Sequence, residues 1–474
     1  MIFTIDIGTS TIKGGIFDNS CRLIHSASAQ IKLIQHNNLY EIDSLDWIKA
    51  FKNICLEILK YKEIKTEIKT IVISGNGPTL TPIDKNGKPL YHAITWMDHR
   101  GRKETEQLLK NNSVNPSFFL SKAYWIYKNK PDIYARTEYF ISCPEFLIHY
   151  LTGNAFTILP NEGFKNYIWT DNAISGLGME KLKFPEFIQP GAEAGTIKRK
   201  LAEELNLNPV INIVVGGYDF LMSLLGSGTI TPGTTCDRAG TSEGINHCSI
   251  VPVTDDSLIC TPHLVKDLYN VSGIISTTGK AIDWFKNNSF YIDKNFNDIY
   301  NDVKTTIPGK LIFLPHLAGE RSPQNNKHVS GAFIGLELNH SYKHMARAVL
   351  ESIGFAIKRI IEVMEKNGLS INELTIAGSL SKIDILNQVK ANITGKVILV
   401  PEISDSELVG NACMGLVYLG KFKSLKEASL NCVKISKKIY PDTKLSGFYL
   451  DMFNIYELAY NNLLPVFEKL GKDL

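Results

Sequence analysis

Glycine- and hydroxyl-rich segments carry polar residues that could bind a phosphorylated ligand. Asp6 lies in an otherwise apolar run and is followed by Gly8-Thr9-Ser10 and then by Lys13. A buried carboxylate needs a partner, and a metal ion is one such partner. A glycine lets the backbone approach a ligand closely, and successive N–H groups in such a turn can bind phosphate. An acid for Mg²⁺ beside donors for phosphate is typical of a nucleoside triphosphate site, although a surface hairpin with a solvated lysine shows the same pattern.

A second acid, Asp219, follows Gly216 and Gly217 at the end of an apolar segment. Phosphoryl transfer to an alcohol needs positioning groups, Mg²⁺ and a carboxylate that accepts the hydroxyl proton. Asp219 is therefore a candidate general base. Aspartate is also a preferred helix N-cap, and we predict a helix from Phe220 onward, so the local sequence alone slightly favours the capping role.

Two further segments could bind the organic part of a substrate. Trp96 lies close to Asp98 and Arg100, and sugars are often bound by an aromatic ring while charged groups hold their hydroxyls. A buried tryptophan beside a surface ion pair explains the same segment. Gly378-Ser379 follows a short apolar segment, where small residues would let a flat base lie against the backbone. An ordinary strand-to-helix turn is an equal alternative for these two residues.

Strands must carry these segments to a common place. The β-rich runs and the capping residue predict strands at 2–7, 12–17 and 22–30, a loop at 36–41, a helix capped by Asp43, and strands at 70–74 and 211–215. Three antiparallel strands followed by a helix and a strand are typical of the opening of a ribonuclease H-like, actin-like ATPase domain. Strand ends with glycine-rich exits are where such α/β folds bind ligands.

The opening pattern returns in the second half of the chain. A strand at 235–239 precedes Gly240-Thr241-Ser242, which repeats the tripeptide of the first turn, and residues 244–250 form the returning strand. A long helix at 341–366 and strands at 374–377 and 397–400 follow. This weak internal duplication and the linker-like segment 229–234 predict an α/β protein with two ribonuclease H-like domains, 1–230 and 231–474, and a cleft between them.

Composition narrows the class of protein. The chain has 474 residues, of which 44% are hydrophobic and 21% charged, as is typical of a soluble globular protein. A net charge of +3 gives no reason to expect nucleic acid or a membrane surface as a partner. The eight cysteines are scattered without a C-x-x-C pair, so they indicate neither a zinc cluster nor a disulfide framework. With no signal-peptide pattern at the start, we expect a cytoplasmic protein.

Taken in order, these segments resemble the FGGY family of carbohydrate kinases, most closely its xylulokinase branch. The resemblance covers nearly the whole chain and is carried by Ile5-Asp-Ile-Gly-Thr-Ser10 with Lys13, Tyr40-Glu-Ile-Asp43 with Trp47, Ile73-Ser-Gly-Asn76, Trp96-Met-Asp-His-Arg100, Gly216-Gly-Tyr-Asp219, Gly240-Thr-Ser242, Leu314 to Pro323, Gly378-Ser379 with Gln388, and Gly410-Asn-Ala412. One such motif would be weak, but the ordered series is specific.

The resemblance implies ATP-dependent transfer of the γ-phosphoryl group to a hydroxyl of a ketose, such as xylulose, or of a polyol. It implies that Asp219 is the general base and contacts the substrate, and that Asp6 holds Mg²⁺ through water. The other implied contacts are Asn76, Trp96, Asp98 and Arg100 to the sugar; Gly8, Thr9, Ser10, Lys13, Gly240, Thr241 and Ser242 to phosphates; and Gly378, Ser379 and Gly410 to adenosine. A homodimer is compatible with the family.

Three departures from the family pattern affect these expectations. Gly77-Pro78 stands where xylulokinases place Met-His, which leaves the exact sugar open. Glu243 puts an acid beside the second phosphate turn, and Leu380 could narrow the base pocket. The alternatives are a kinase for ribulose, erythritol, glycerol or another sugar, and an actin-like nucleotide-binding sensor without turnover. A sensor has no need of a base such as Asp219.

Overall fold

The computed structural model describes residues 1–37, 39–60, 62–109 and 119–471. The chain forms two compact units. The first contains Met1–Gly226, Leu264–Lys266 and Ser406–Cys432, and the second contains the segments between and after them. The change of unit after Gly226 lies close to the domain boundary predicted at 230/231. The late segment Ser406–Cys432, however, packs with the first unit and not with the sequence that surrounds it.

The strands and helices are numbered in chain order. The strands are β1 Ile2–Ile7, β2 Thr11–Phe17, β3 Leu23–Gln30, β4 Leu33–His36, β5 Leu39–Ile42, β6 Thr70–Gly75, β7 Leu80–Ile83, β8 Ala93–Ile94, β9 Tyr139–Ser142, β10 Thr157–Ile158, β11 Phe187–Ile188, β12 Glu193–Thr196, β13 Asn212–Tyr218, β14 Thr235–Ala239, β15 Glu243–Ser249, β16 Ile259–Pro262, β17 Tyr269–Ile275, β18 Ile312–Leu314, β19 Ala332–Ile334, β20 Glu373–Ala377, β21 Val397–Pro401 and β22 Ile435–Ile439. The helices are α1 Ser44–Ile58, α2 Lys62–Glu67, α3 Arg102–Leu108, α4 Leu120–Asn129, α5 Pro131–Arg136, α6 Cys143–Thr152, α7 Lys165–Ile168, α8 Asp171–Gly176, α9 Arg199–Leu205, α10 Asp219–Gly226, α11 Gly279–Asn287, α12 Phe296–Thr305, α13 Tyr342–Lys366, α14 Asp384–Thr394, α15 Ser406–Tyr418, α16 Leu425–Cys432 and α17 Ser446–Leu470.

The main sheet of the first unit has the strand order β12-β13-β6-β1-β2-β3. The hairpin β1–β2 and its neighbour β3 are antiparallel, as predicted, whereas β1, β6 and β13 run parallel. The carboxyl ends of these three parallel strands therefore meet at one edge of the sheet. This arrangement confirms the ribonuclease H-like fold expected from the opening of the chain.

Helices cover both faces of this sheet, and β1 is accordingly buried along its whole length. Helix α1 begins as predicted, because the Asp43 carboxylate accepts a hydrogen bond from the Leu45 N–H and caps the helix. Helix α15 packs against β1 and β6. A Cβ on Gly415 of α15 would lie 2.8 Å from the side chain of Ile2, so a glycine lets the helix approach the sheet closely.

A second sheet, β4-β5-β8-β7-β9, belongs to the same unit. The loop predicted at 36–41 is wrong, because β4 and β5 form an antiparallel hairpin there. Strand β5 also pairs with β8 through Glu41 and Ile42, so a long-range partner stabilises a strand whose local pattern is too short to indicate one.

The second unit repeats the arrangement with the order β16-β17-β15-β14-β20-β21-β22. Strands β14 and β15 form an antiparallel hairpin, and β14 runs parallel to β20 and β20 to β21. Helix α13 ends at Lys366, as predicted, and buries one face in the hydrophobic core of this sheet. In the part of the chain that the structure describes, no helix combines the length and the apolar character needed to cross a membrane.

Candidate active site

The first group of candidate residues lies where β1, β6 and β13 end. Register pairs Asp6 with Ser74 and Gly75 with Tyr218 across the parallel strands. Asp6 is near the end of β1, and Asp219 directly follows β13 as the first residue of α10. The topology thus brings together two acids that are far apart in sequence, at the sheet edge where α/β folds bind ligands.

Asp6 is buried beside other charged groups. Its side chain is 5% exposed and accepts a hydrogen bond from the Ser74 hydroxyl at 2.6 Å. Burial, together with the negative charges of Glu407 and Asp219, raises the pKa of Asp6 to about 8, against the opposing effect of Lys13, which faces Asp6 in the β1–β2 register. Glu407 is in the first turn of α15, and the sequence offers no local signal that would connect it with Asp6.

This donor set fits a divalent cation. Carboxylate oxygens are the ligands that Mg²⁺ prefers, and Mg²⁺ commonly keeps several waters. Repulsion among Asp6, Asp219 and Glu407 is part of the cause of the raised pKa of Asp6, and a cation near them would favour the ionised forms. The residues present are therefore suited to hold Mg²⁺.

Asp219 is the first residue of α10, and its role as a general base stays a prediction. Its Oδ1 accepts a hydrogen bond from the Phe220 N–H at 2.6 Å, so the carboxylate is held at the N-terminus of α10. The side chain is partly exposed, in contrast to the buried Tyr218 before it. A backbone contact and a base that accepts a proton are compatible in this geometry.

The first phosphate turn is linked to a predicted sugar residue. The Trp96 indole N–H donates a hydrogen bond to Thr9 Oγ1 at 2.9 Å, while 37% of Trp96 stays exposed. The Gly8 N–H donates a hydrogen bond to the Thr11 carbonyl oxygen and so closes the turn. A Cβ at Gly8 would lie 2.9 Å from that oxygen. An exposed aromatic face next to the turn is thus available for ligand contact.

Asp98 and Arg100, by contrast, mainly contact each other. The guanidinium and the backbone N–H of Arg100 donate to both oxygens of Asp98, which also accepts the Tyr40 N–H. Although burial opposes ionisation, these hydrogen bonds lower the pKa of Asp98. Arg100 further contacts Glu41 and lies over the ring of Trp125 at 4.7 Å. The sequence suggested a surface ion pair as one alternative. Asp98 and Arg100 do form an ion pair, but it is buried and does not lie on the surface.

Asn76 also has internal partners. Its amide donates to the Ile7 carbonyl at 3.0 Å, and its side-chain carbonyl accepts the Thr79 hydroxyl, so it ties the ends of β1 and β6 together. The next residue, Gly77, differs from the xylulokinase pattern for a steric reason. A Cβ at Gly77 would lie 2.8 Å from the ring of Tyr218, which leaves no room for the methionine of the xylulokinase pattern without a shift of that ring.

The second group of candidate residues lies in the second unit, where β14 and β20 end side by side. Arg238 pairs with Ala377 across these parallel strands, which places Gly240 and Gly378 at neighbouring strand exits. Gly378 has φ +86°, and a Cβ there would lie 2.4 Å from the Ala239 carbonyl oxygen. Only a glycine fits this close backbone contact.

Polar groups surround these exits. Thr241, Ser242 and Ser379 are exposed. The turn at Gly240 is fixed by residues that the sequence analysis did not single out, because the Gly279 N–H and the Thr278 hydroxyl both donate to the Gly240 carbonyl, at 3.0 and 3.1 Å. The only sequence signal for this contact is the run Ser276-Thr-Thr-Gly279, which resembles the turn that it holds.

Glu243 does not face the phosphate turn as an exposed acid. Its carboxylate is fully buried and contacts Lys390 Nζ, which also lies 2.7 Å from Asp237 Oδ2. Burial and the nearby Asp237 raise the pKa of Glu243 well above its usual range, against the opposing effect of Lys390. The departure noted at this position is therefore part of a buried polar group inside the second unit.

Gly410 belongs to the first unit, whereas Gly378 and Ser379 belong to the second. It lies within α15 of the first unit, where a Cβ would be 2.0 Å from the Met222 carbonyl of α10. The next residue, Asn411, donates from its amide to the Ile5 carbonyl at 3.0 Å and to the Ser74 hydroxyl at 2.7 Å. These contacts give the segment a packing role, and its adenosine role stays a prediction.

Matches to known proteins cover both units of the chain. Family models for FGGY carbohydrate kinases match at residues 1–226 for the N-terminal domain and 238–419 for the C-terminal domain. A xylulose kinase from Staphylococcus epidermidis is 28% identical and aligns over 97% of this chain and 96% of its own. The ligand-bound xylulose kinase structure from Lactobacillus acidophilus superposes with a TM-score of 0.86 at 24% identity, over 99% of this chain and all of its own. The gluconate kinase structure from the same organism gives a TM-score of 0.86 at 25% identity over 99% of both chains.

Proposed function

The chain belongs to the FGGY family of carbohydrate kinases, and we propose that it transfers the γ-phosphoryl group of ATP to a hydroxyl of D-xylulose. The substrate is supported by the xylulose kinases among its relatives, which align over nearly the full length of both chains. The observation that carries the proposal is the interaction of three acids in the first unit. Asp219 directly after β13 and Glu407 in the first turn of α15 both act on the buried Asp6.

Residues of the first unit carry the phosphoryl-transfer part of the proposed mechanism. Asp219 accepts the proton of the attacking hydroxyl, because it is partly exposed and held by the Phe220 N–H. Asp6 and Glu407 would hold Mg²⁺, and the cation would neutralise charge on the transferring phosphoryl group. Thr9 and Ser10 bind phosphate, and Trp96 offers its exposed ring to the sugar.

The second unit supplies the adenine nucleotide contacts in this proposal. Gly240, Thr241 and Ser242 bind phosphate through backbone N–H groups and hydroxyls. Gly378 and Ser379 provide a backbone surface for adenosine, since Gly378 has no Cβ.

We assign the activity to the cytoplasm, because all eight cysteines lie in the described part of the chain and none forms a disulfide. The homodimer stays a prediction that light scattering would test.

The test is turnover with a substrate panel. We expect ADP release with Mg²⁺-ATP to have its highest kcat/KM for D-xylulose, compared with D-ribulose, D-gluconate, erythritol and glycerol. A preference for another compound by tenfold or more would overturn the substrate assignment but leave the kinase.

A single substitution tests the mechanism. Asp219→Asn should lower kcat by roughly 10²–10⁴-fold and leave ADP affinity unchanged, because the base acts only on the hydroxyl proton. Asp171→Asn is the matched control, since Asp171 is also the first residue of a helix in the first unit but lies in an exposed ion pair with Lys181. Turnover by Asp219→Asn within threefold of the wild type would contradict the base assignment.

A further inference from the structure

Three cysteines that are far apart in sequence meet inside the first unit. Cys21 lies in the turn between β2 and β3, Cys413 lies within α15, and Cys432 is the last residue of α16. Their Sγ atoms all lie within 4.8 Å of one another, and the three residues are 4%, 0% and 4% exposed. No sequence pattern indicates this cluster, because no two of these cysteines are near each other in the chain.

The local backbone directs Cys21 into the cluster. Cys21 has φ +61°, a conformation that costs a non-glycine residue on the order of 1 kcal/mol. Hydrogen bonds fix the turn. The Cys21 N–H donates to the Asp18 carbonyl, and the Asp18 carboxylate accepts hydrogen bonds from the N–H groups of Ser20 and Arg22. An unfavourable conformation held by several hydrogen bonds is a recurring feature of functional sites.

We propose that Cys21, Cys413 and Cys432 form a binding site for a soft, thiophilic cation of the Cu(I) or Zn(II) class. A metal–sulfur distance of about 2.3 Å sets the three sulfurs about 4 Å apart, which fits the observed spacing. Thiolate ligands select Cu(I) and Zn(II) over hard cations such as Mg²⁺. Among the described residues no fourth histidine, cysteine, aspartate or glutamate joins the group, so the protein supplies three sulfur ligands.

Binding is an exchange of protons for the cation. Burial raises the pKa of the Cys413 thiol well above its usual range, so the protein without a cation holds a neutral thiol there. Each sulfur that ligates the cation releases its proton to solvent, and no electron is transferred. Cys21 and Cys432 each retain slight exposure, and Cys21 directly follows the exposed turn residues Asn19 and Ser20.

A bound cation would join parts of the unit that the chain connects only distantly. Cys21 belongs to the turn between β2 and β3, whereas Cys413 and Cys432 belong to the late segment Ser406–Cys432. A ligand that binds only the folded state stabilises it. We therefore expect the cation to raise the thermal unfolding midpoint, independently of kinase turnover.

The test uses reduced, metal-free full-length protein under anaerobic conditions. Titration with Cd²⁺ alone should produce sulfur-to-metal charge-transfer absorption that saturates at one equivalent per chain. Cys21→Ser and Cys432→Ser should each weaken binding by about tenfold or more. Cys55→Ser is the matched control, because Cys55 is a buried thiol of α1 in the same unit but outside the cluster, and it should bind as the wild type does.

A second measurement needs no substitution. Wild-type protein is incubated with one equivalent of Cu(I) or Zn²⁺ and alkylated during partial unfolding, and the modified cysteines are identified by mass spectrometry. We expect the cation to slow alkylation of Cys21, Cys413 and Cys432 more than alkylation of the other five cysteines. Absence of the charge-transfer band, or equal alkylation of all eight cysteines with and without the cation, would overturn the proposal.

Discussion

Replacing Lys390 by methionine should destabilise the second unit by about 3–5 kcal/mol, because it breaks a buried charge group. The Lys390 ammonium contacts both Asp237 and Glu243, and none of the three side chains has exposed surface. Methionine keeps much of the length of lysine but removes the cation that both carboxyl groups contact. The Asp237 carboxylate would then be buried without its positive partner.

The distances set the magnitude. At 2.7 Å, with an effective dielectric constant of about 20, the attraction between Lys390 and Asp237 is roughly 6 kcal/mol. Relaxation of the surroundings and entry of water in the variant recover part of this loss, which leaves the roughly 3–5 kcal/mol typical of a broken buried pair.

Glu243 should behave differently from Lys390. Burial and Asp237 raise the pKa of Glu243 well above its usual range, which favours the protonated form of its carboxyl group. Asp237 Oδ1 and Glu243 Oε2 have no hydrogen-bond partner among the described residues, and a proton on Glu243 would let it donate to Asp237. Glutamine is close in shape to the protonated acid and, like it, offers an acceptor oxygen and a hydrogen-bond donor, so Glu243→Gln should change stability by about 1 kcal/mol or less.

The sign of the pH effect follows from the raised pKa. The folded state holds the proton of Glu243 more tightly than the unfolded state does. This contribution to stability is therefore full below the ordinary glutamate pKa of 4.5, which applies to the unfolded chain, and is lost as pH rises through the folded-state pKa. Glu243→Gln should remove that pH dependence.

Because the chain has two units, hydrogen exchange resolves the effect better than one global unfolding curve. Peptides from β14, β15 and α14 should exchange about 10²–10⁴-fold faster in Lys390→Met, as a loss of about 3–5 kcal/mol requires, and at the wild-type rate in Glu243→Gln. Equal acceleration in both variants would refute the proton assignment, and no acceleration in Lys390→Met would refute the role of the ion group.

Three further substitutions separate ligand contact from structure. Gly378→Ala should lower ADP affinity at least tenfold in calorimetry, because its Cβ would lie 2.4 Å from the Ala239 oxygen at φ +86°; unchanged affinity would contradict this packing. Trp96→Phe keeps an aromatic ring but loses the hydrogen bond to Thr9. Because such a bond contributes about 1 kcal/mol, KM for the sugar should rise about fivefold while kcat stays nearly unchanged. Asp98→Asn should destabilise the first unit by about 3 kcal/mol in thermal unfolding, since the carboxylate is buried against Arg100; a stable variant altered only in sugar KM would show a direct contact instead.

Local features were predictable because short-range forces determine them. The hairpin β1–β2 follows from β-rich runs around Gly8, and α1 follows from the Asp43 cap and an apolar face. The repeated Gly-Thr-Ser tripeptide indicated the second hairpin, β14–β15, before its partners were known. Strand β5 was missed, because its stability depends on a strand some fifty residues later in the chain.

The candidate site was predictable only in part. Asp6 and Asp219 could be selected as acids at strand ends, but nothing in the sequence connects Asp6 with Glu407, which comes from a helix near the other end of the chain. The same limit applies to Lys390 and Glu243, whose contact depends on how α14 packs against β15. Charges near a motif suggest ligand contact, and only tertiary structure shows when they bind each other instead.

The two Gly-Thr-Ser turns illustrate how a duplicated backbone can carry opposite charges. In each hairpin, the second residue before the turn glycine lies on a strand that pairs in parallel with a later strand. That residue is Asp6 in the first unit and Arg238 in the second. A carboxylate attracts a cation, whereas a guanidinium attracts a phosphate. Equal tripeptides therefore do not imply equal roles, and we expect the first turn, unlike the second, to depend on Mg²⁺ for binding an anionic ligand.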